Sequence, residues 1–407
     1  MEQARAAISA ALRPITETET VALEQAAGRV LASDMLSPLD VPAHDNSAMD
    51  GYALRGADLR IDAPSRLVAL PETIFAGDAL ARQVAQGECI RIMTGAVMPQ
   101  GLDTVVPVEL CRVQDGLVHI EPGVLRVGEN RRRRGEDLSA GQPALRAGRV
   151  LRPADLGLLA SLGLAQVRVV RRLRVALFST GDELRAPGAA LPPGCIYDSN
   201  RAGLRAALQR LGVEVIDLGL VRDDPAALQA TLDEAVARCD AVITSGGVSM
   251  GDADHVRELL ARMGEVAFWK VAMRPGRPFA FGALRGPGGR TPFLFALPGN
   301  PVAALVTFYA LAREALMRLA GADPLPLPVL QARSVAALRK RPGRTEFQRA
   351  IVEAAAQGGW QVRLTGSQGA GVLRSMSEAN ALVVLRHEQG SVAEGEMVDV
   401  WLFDGLV

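Results

Sequence analysis

Aromatic side chains are scarce in this 407-residue chain: Phe, Trp and Tyr together make up 4%. Its cores must therefore be built from Ala, Val and Leu, within a hydrophobic share of 49% that excludes disorder. Lysine is rarer still, with only Lys270 and Lys340, so basic charge is almost all arginine and the run 131–134 says little by itself. Net charge is absent. Lys plus Arg and Asp plus Glu stand at 45 each, which leaves no field to gather nucleic acid or an anionic membrane. The four cysteines, Cys89, Cys111, Cys195 and Cys239, form no C-x-x-C pair, which argues against a zinc site or a disulfide framework. That usage fits a reducing compartment. No run approaches the roughly 20 apolar residues that span a bilayer. The opening "MEQARAAISAALRP" carries charge too early for a secretory signal, so a cytoplasmic protein is expected. G-x-G-x-x-G after a strand, G-x-x-x-x-G-K-[ST], a Ser/His/Asp arrangement and internal repeats are missing too, so neither a Rossmann dinucleotide site nor a P-loop is supported.

The length exceeds what one core serves, and the chain reads as several pieces. Residues 1–45 and 146–170 form an N-terminal helical and linker domain, with a helix over "RPADLGLLASLG". Residues 46–145 carry short apolar runs between turn signals, which predicts an inserted β-rich lobe. From 171 to 322 strands and helices alternate, the signature of a parallel sheet with helices on both faces. Ser199 or Asn200 is the expected cap of the first helix there, Asp224 with Pro225 starts the second, and Asn300 with Pro301 starts a long one. After the proline-rich joint 322–328, residues 323–407 read as a small β domain. The fold class is a multidomain α/β plus β protein with a small barrel-like C-terminal domain.

In an open parallel sheet ligands bind beyond the carboxyl ends of the strands. Four strands here end in "STGDE", "RDD", "SGGVSMGDAD" and "LPGNP", and right-handed crossovers bring those loops to one rim. The rim then collects Asp182, Glu183, Asp223, Asp224, Asp252 and Asp254, with Lys270, Arg274 and Arg277 nearby. Crowded carboxylates call for a shared cation, glycine N–H groups at helix starts suit a phosphate, and the basic trio suits a second anion. Asp224-Pro225 and "LPGNP" are sound helix starts in their own right. Asp223 has no capping task and is the better functional candidate.

The strings "DNSAMDGYALR", "MTGAVMP", "RRRGED", "STGDEL", "SGGVSMGDAD", "RPGRPFAFG" and "LPGNP" occur in this order and resemble the molybdopterin molybdenumtransferase family, which includes the E region of gephyrin. The resemblance covers essentially the whole chain. It implies insertion of molybdenum from molybdate into adenylylated molybdopterin, with magnesium and release of AMP. It also implies an elongated homodimer whose cleft is shared between one subunit's α/β domain and the other's lobe. A molybdopterin adenylyltransferase and molybdoenzyme apoproteins are the partners it suggests. Asp50, Asp137, Glu183, Asp223 and Asp254 take the family's catalytic positions, the last three as metal ligands. Gly246, Gly247, Ser249, Gly251, Asp252, Lys270, Arg274, Pro275, Arg277, Pro298 and Pro301 take its substrate-binding ones. Arg274, Arg277, Arg344 and Arg349 are the implied molybdate contacts.

The chain departs from the family at two places. Arg274 stands where lysine is common, and "TGSQGAGVLRS" has Ala370 and Gly371 where a serine is expected. A hydroxyl donor to molybdate is then missing, with backbone N–H groups, a water or Ser367 as substitutes, and tungstate discrimination is open. Two rival readings follow. An adenylyltransferase shares the "SGG" loop but is far shorter. A non-catalytic cofactor carrier or scaffold would have no chemical need for the acidic set.

Overall fold

A computed structural model describes residues 1–78, 80, 82–246, 254–324 and 326–405, the side chains of 254–258, 268 and 405 excepted. The chain divides into two units, one of residues 1–32, 148–152 and 167–407, the other of residues 33–147 and 153–166.

The α/β domain of the first unit begins with β1 (Arg174–Thr180), α1 (Ser199–Arg210), β2 (Glu214–Val221), α2 (Pro225–Arg238) and β3 (Ala241–Ser245). There follow α3 (Asp254–Met263), β4 (Gly264–Lys270), β5 (Pro278–Leu284), β6 (Phe293–Leu297) and α4 (Pro301–Thr307). The sheet order is β2–β1–β3–β6–β5–β4. The first four strands run parallel, as the sequence pattern predicts; β5 runs antiparallel to both β6 and β4. β3 and β6 are buried at all five positions each, which is why they read as unbroken apolar runs. One face packs on α1 and α4 through Val175, Leu177 and Ile243; the other packs on α2 and α3 through Ala176, Phe178 and Val242. The few aromatics are concentrated at the antiparallel side. There Phe281 lies 5.2 Å from Phe295, 5.8 Å from Phe293 and 5.9 Å from Trp269 between ring centroids. Such pairs add about 0.5–1.5 kcal/mol each beyond burial and stiffen the strands that carry the Arg274 loop.

Two expected caps differ. Asp198, not Ser199 or Asn200, caps α1 by accepting from the Arg201 N–H at 3.1 Å, because the helix starts one residue earlier than its pattern suggests. Asn300 precedes α4 but its side chain makes no cap bond; the Ala370 carbonyl accepts the Val302 N–H at 3.1 Å instead. The long helix is broken by a π turn over Phe308–Ala312 before it resumes at Arg313–Leu319. Asp224 and Pro225 start α2 as expected, with Asp224 accepting from Ala227 at 2.8 Å.

The C-terminal domain is a closed five-stranded barrel of β7 (Leu330–Ser334), β8 (Thr345–Ala354), β9 (Trp360–Leu364), β10 (Ala381–Leu385) and β11 (Met397–Leu402). Its ring is β8–β9–β7–β11–β10 and back to β8, so no strand edge is left open. Met273 and Arg274 add a short parallel pairing to β8, which fastens the barrel to the α/β domain.

The second unit holds a six-stranded sheet over residues 51–120, the expected β-rich lobe. Its extent is wider than 46–145. Met35–Leu36 pairs with Pro143–Leu145, and Val41 bridges Leu138, so residues 33–45 are tied into it. The helix Pro153–Ser161 groups with this unit as well, whereas Thr18–Ala22 pairs with Gln166–Val170 in the first unit. The N-terminal piece read from sequence is thus divided between the two.

Candidate active site at the strand ends

Strand alternation sends successive side chains to opposite faces, and at the carboxyl ends of β1 and β3 the apolar run gives way to hydroxyls. Ser179 and Ser245 continue the face that packs on α1. Thr180 and Thr244 continue the face that packs on α2. Each hydroxyl side chain lies where a loop starts: Ser179 Oγ donates to Asp198 at 3.1 Å, and the Thr180 hydroxyl donates to Asp223. Gly246 then turns the chain at φ +95°, with its hypothetical Cβ only 2.3 Å from the Thr180 carbonyl, so no other residue fits there.

These ends floor a cavity of about 590 Å³. Glu183 lines one side, Pro298 and Pro301 another, and Arg274 with Pro275 a third; Gly246 lies at the base. The barrel closes the ring with Gln368, Gly369 and Ala370. Six of the residues singled out from sequence therefore meet in one cavity. Asp223 touches it through Thr180, and its backbone N–H donates to Asp182 Oδ1 at 3.3 Å, which makes the two residues neighbours. Lys270 at the end of β4 and Arg277 just before β5 are exposed and are not among the cavity's lining side chains. Gly247, Ser249, Gly251 and Asp252 lie outside the described residues, and Asp254 is described only as the start of α3.

The two barrel arginines have different surroundings. Arg344 donates to Glu346 at 3.0 Å, and Arg274 approaches the same carboxylate at 3.8 Å, so two cations share one nearly buried anion and the edge stays net positive. Arg349, for which the sequence reading expected a direct oxyanion contact, is 1% exposed. Its guanidinium donates to Ser375 Oγ at 3.0 Å and to the carbonyls of Ser367, Gln368 and Gly369 at 3.0, 3.1 and 2.9 Å. That leaves one of its five N–H groups for anything else. Burial, reinforced by the charge of Arg274, brings Arg349 down to about 10, still protonated at neutral pH. It thus holds the 367–369 loop from behind.

In the second unit, Asp50 accepts from both the N–H and the hydroxyl of Thr94 at 2.7 Å. The Thr94 hydroxyl and N–H hold this exposed carboxyl below its ordinary value. Asp137 is exposed, its N–H donating to Val41 O at 3.1 Å. Sequence reasoning passed over Thr94, Asn200, Ser245 and Gln368; a hydroxyl ending an apolar run, as in "LFST" and "VITS", was the available signal for Ser245.

Among the described residues no group of three His, Cys, Asp or Glu stands ready to hold a metal. Magnesium does not require one, since it takes one or two carboxylates and completes its shell with waters and substrate phosphates. Asp182, Asp223 and Glu183 are hard oxygen donors of that kind.

A family model described as "MoeA N-terminal region (domain I and II)" matches residues 1–163, a "Probable molybdopterin binding domain" matches 176–318, and "MoeA C-terminal region (domain IV)" matches 331–403. The chain is 40% identical over 409 residues to the molybdopterin molybdenumtransferase of Haemophilus influenzae, covering 100% of this chain and 99% of that one. It is 40% identical to molybdopterin molybdenumtransferase 2 of Mycobacterium tuberculosis, over 96% of this chain and 95% of that one. Among solved structures, a molybdopterin biosynthesis protein of Pyrococcus horikoshii superposes with a TM-score of 0.82 at 27% identity, covering 99% of each chain.

Proposed function

The chain belongs to the molybdopterin molybdenumtransferase family, and from that premise we propose that it inserts molybdenum from molybdate into adenylylated molybdopterin and releases AMP. It is an enzyme, a transferase of molybdenum cofactor biosynthesis. The observation that carries the finer reading is the single cavity in which glycine-turned strand ends, Glu183, Arg274 and the barrel loop 368–370 converge. The pterin and its phosphates take the glycine turns. Arg274 and Arg344, with only Glu346 between them, give molybdate a net positive edge, and the loop held by Arg349 offers backbone to it. Asp182, Asp223 and Glu183 would hold magnesium, which when bound would neutralise charge on the phosphoanhydride, from which AMP leaves with one of the two phosphates. The residues of the chain orient the phosphoanhydride and the oxyanion side by side, where proximity replaces a bimolecular encounter.

The assembly we propose is a cytoplasmic homodimer in which Asp50 and Asp137 of one subunit serve the other's cavity. It would receive its substrate from a molybdopterin adenylyltransferase and deliver to molybdoenzyme apoproteins. A second reading, a cofactor carrier or scaffold, is favoured by one observation: Ala370 lines the cavity where a hydroxyl would serve molybdate. Metal analysis of the pterin separates the two. Incubation with adenylylated molybdopterin, magnesium and molybdate yields molybdenum-bearing pterin if the first reading holds; pterin retained on the protein without molybdenum supports the carrier.

A further inference from the structure

One side chain of the cavity is committed in a way that the reaction does not explain. Asn200 sits on the first turn of α1, whose cap is already Asp198, so it has no capping task. Its Nδ2 donates to Ser245 Oγ at 2.6 Å and to the Gly299 carbonyl at 2.6 Å. A carbonyl can only accept, so the contact with Gly299 settles which amide atom is nitrogen. Ser245 Oγ passes its own proton to the Pro298 carbonyl at 3.2 Å. The two carbonyls of the Pro298–Gly299 turn are thereby held by side chains from α1 and β3, and both amide protons of Asn200 are spent. Gly299 and Asn300 are themselves exposed, and the Asn300 side chain makes no cap bond that would fix the turn from within. The other amide atom, Asn200 Oδ1, is buried and has no hydrogen-bond partner among the described residues. A donor reaching that wall would relieve it.

We propose that Asn200 is a positioning residue that clasps the Pro298–Asn300 turn to the ends of α1 and β3, so that three loops meet a ligand as one preformed wall. The clasp is a property of the free protein. Its effect on affinity deepens the function proposed above and rests on it for the identity of the ligand. A turn already ordered does not lose freedom on binding, and that saving is what the ligand feels.

The test uses the full chain with Asn200→Ala, Ser245→Ala and the double variant. Hydrogen exchange of the segment 297–303 is followed without ligand, and the dissociation constant of adenylylated molybdopterin is measured alongside. Asn200→Ala is expected to speed exchange in that segment and to weaken binding by roughly 10- to 100-fold, while exchange in the barrel stays unchanged. Ser245→Ala, which keeps the Gly299 bond, is expected to do less, and the double variant more than either single one, since it also removes the Ser245 bond to the Pro298 carbonyl that Asn200→Ala leaves. Unchanged exchange in Asn200→Ala overturns the clasp. Faster exchange with unchanged affinity overturns the positioning role. Failure of the unmutated protein to bind the adenylylated pterin counts against the function proposed above, and the exchange data still judge the clasp. Should Asn200→Ala not fold, Ser245→Ala must still loosen the segment, and a silent Ser245→Ala then contradicts the clasp.

Discussion

Arg349 shows how much of a residue's role its type conveys. Its charge was legible in "GRTEFQR"; its direction was not, because nothing in a strand pattern tells whether a guanidinium faces a ligand or the carbonyls behind a loop. The structure commits it to Ser375 and three carbonyls of residues 367–369. Arg349→Ala is therefore expected to lower stability by about 2–4 kcal/mol in urea unfolding, since several buried acceptors lose their donor. A merely ligand-facing arginine would leave the unfolding midpoint unmoved. Ala370 is the opposite case, a residue whose importance lies in what it lacks. It lines the cavity while its carbonyl is used at the start of α4. Ala370→Ser is expected to tighten molybdate binding by about tenfold, near 1.4 kcal/mol, through one added donor to a charged group. Equilibrium dialysis with molybdate and tungstate reads this; an unchanged constant would mean the site already has its full set of donors.

At the scale of elements, the parallel strands and their helices were legible because buried strands read as apolar runs and helix starts carry their own caps. The antiparallel pair β4 and β5 was hidden. Its strands are as apolar as the others, and their direction is set by the tight connection through Pro275 and Gly276, not by composition. At the opposite end of the sheet, Asp240 ties elements together: it accepts from Arg171 at 2.7 and 2.9 Å, from Arg290 at 3.3 Å and from the Arg174 N–H at 2.9 Å. Burial pushes its carboxyl up, but the Arg171 and Arg174 hydrogen bonds with the charges of Arg171 and Arg290 outweigh that and hold it below 3.8. A carboxyl lowered in the folded state stabilises fully above its unfolded value and loses that contribution as pH falls through the folded one. Asp240→Asn is accordingly expected to cost about 1.5–3 kcal/mol at pH 7, since the hydrogen bonds to Asp240 lose their charge while Arg171 keeps Glu17 at 3.2 Å. The gap to the unmutated protein should narrow as pH falls through the lowered carboxyl value; a gap independent of pH would show that the carboxylate's charge is not what binds these segments.

For the molecule as a whole, composition reads as four pieces, whereas the structure divides the chain into two units whose seams composition does not mark. Residues 33–45 look like an exit from the first domain because Pro38 and Pro42 punctuate them, yet their backbone pairs with residues 138–145 across a long separation in sequence. Long-range pairing leaves no local signature. The cavity was legible as a rim, although of the expected acids Glu183 is the one among the described residues that lines it, and the barrel's contribution through residues 368–370 depended on a contact between domains that no pattern encodes. The proposed dimer makes its own prediction. Asp50→Ala and Glu183→Ala proteins, each with little activity, should regain part of it when mixed and allowed to exchange subunits, because some mixed dimers hold one intact site. Mixed dimers that form and stay inactive would place both residues in the same subunit's site.

The central claim is tested most directly by AMP release from adenylylated molybdopterin with magnesium, followed with and without molybdate. Release that depends on molybdate, with molybdenum recovered on the pterin, is the result the account predicts. Tight binding of the adenylylated pterin with no AMP released at any molybdate concentration would contradict it.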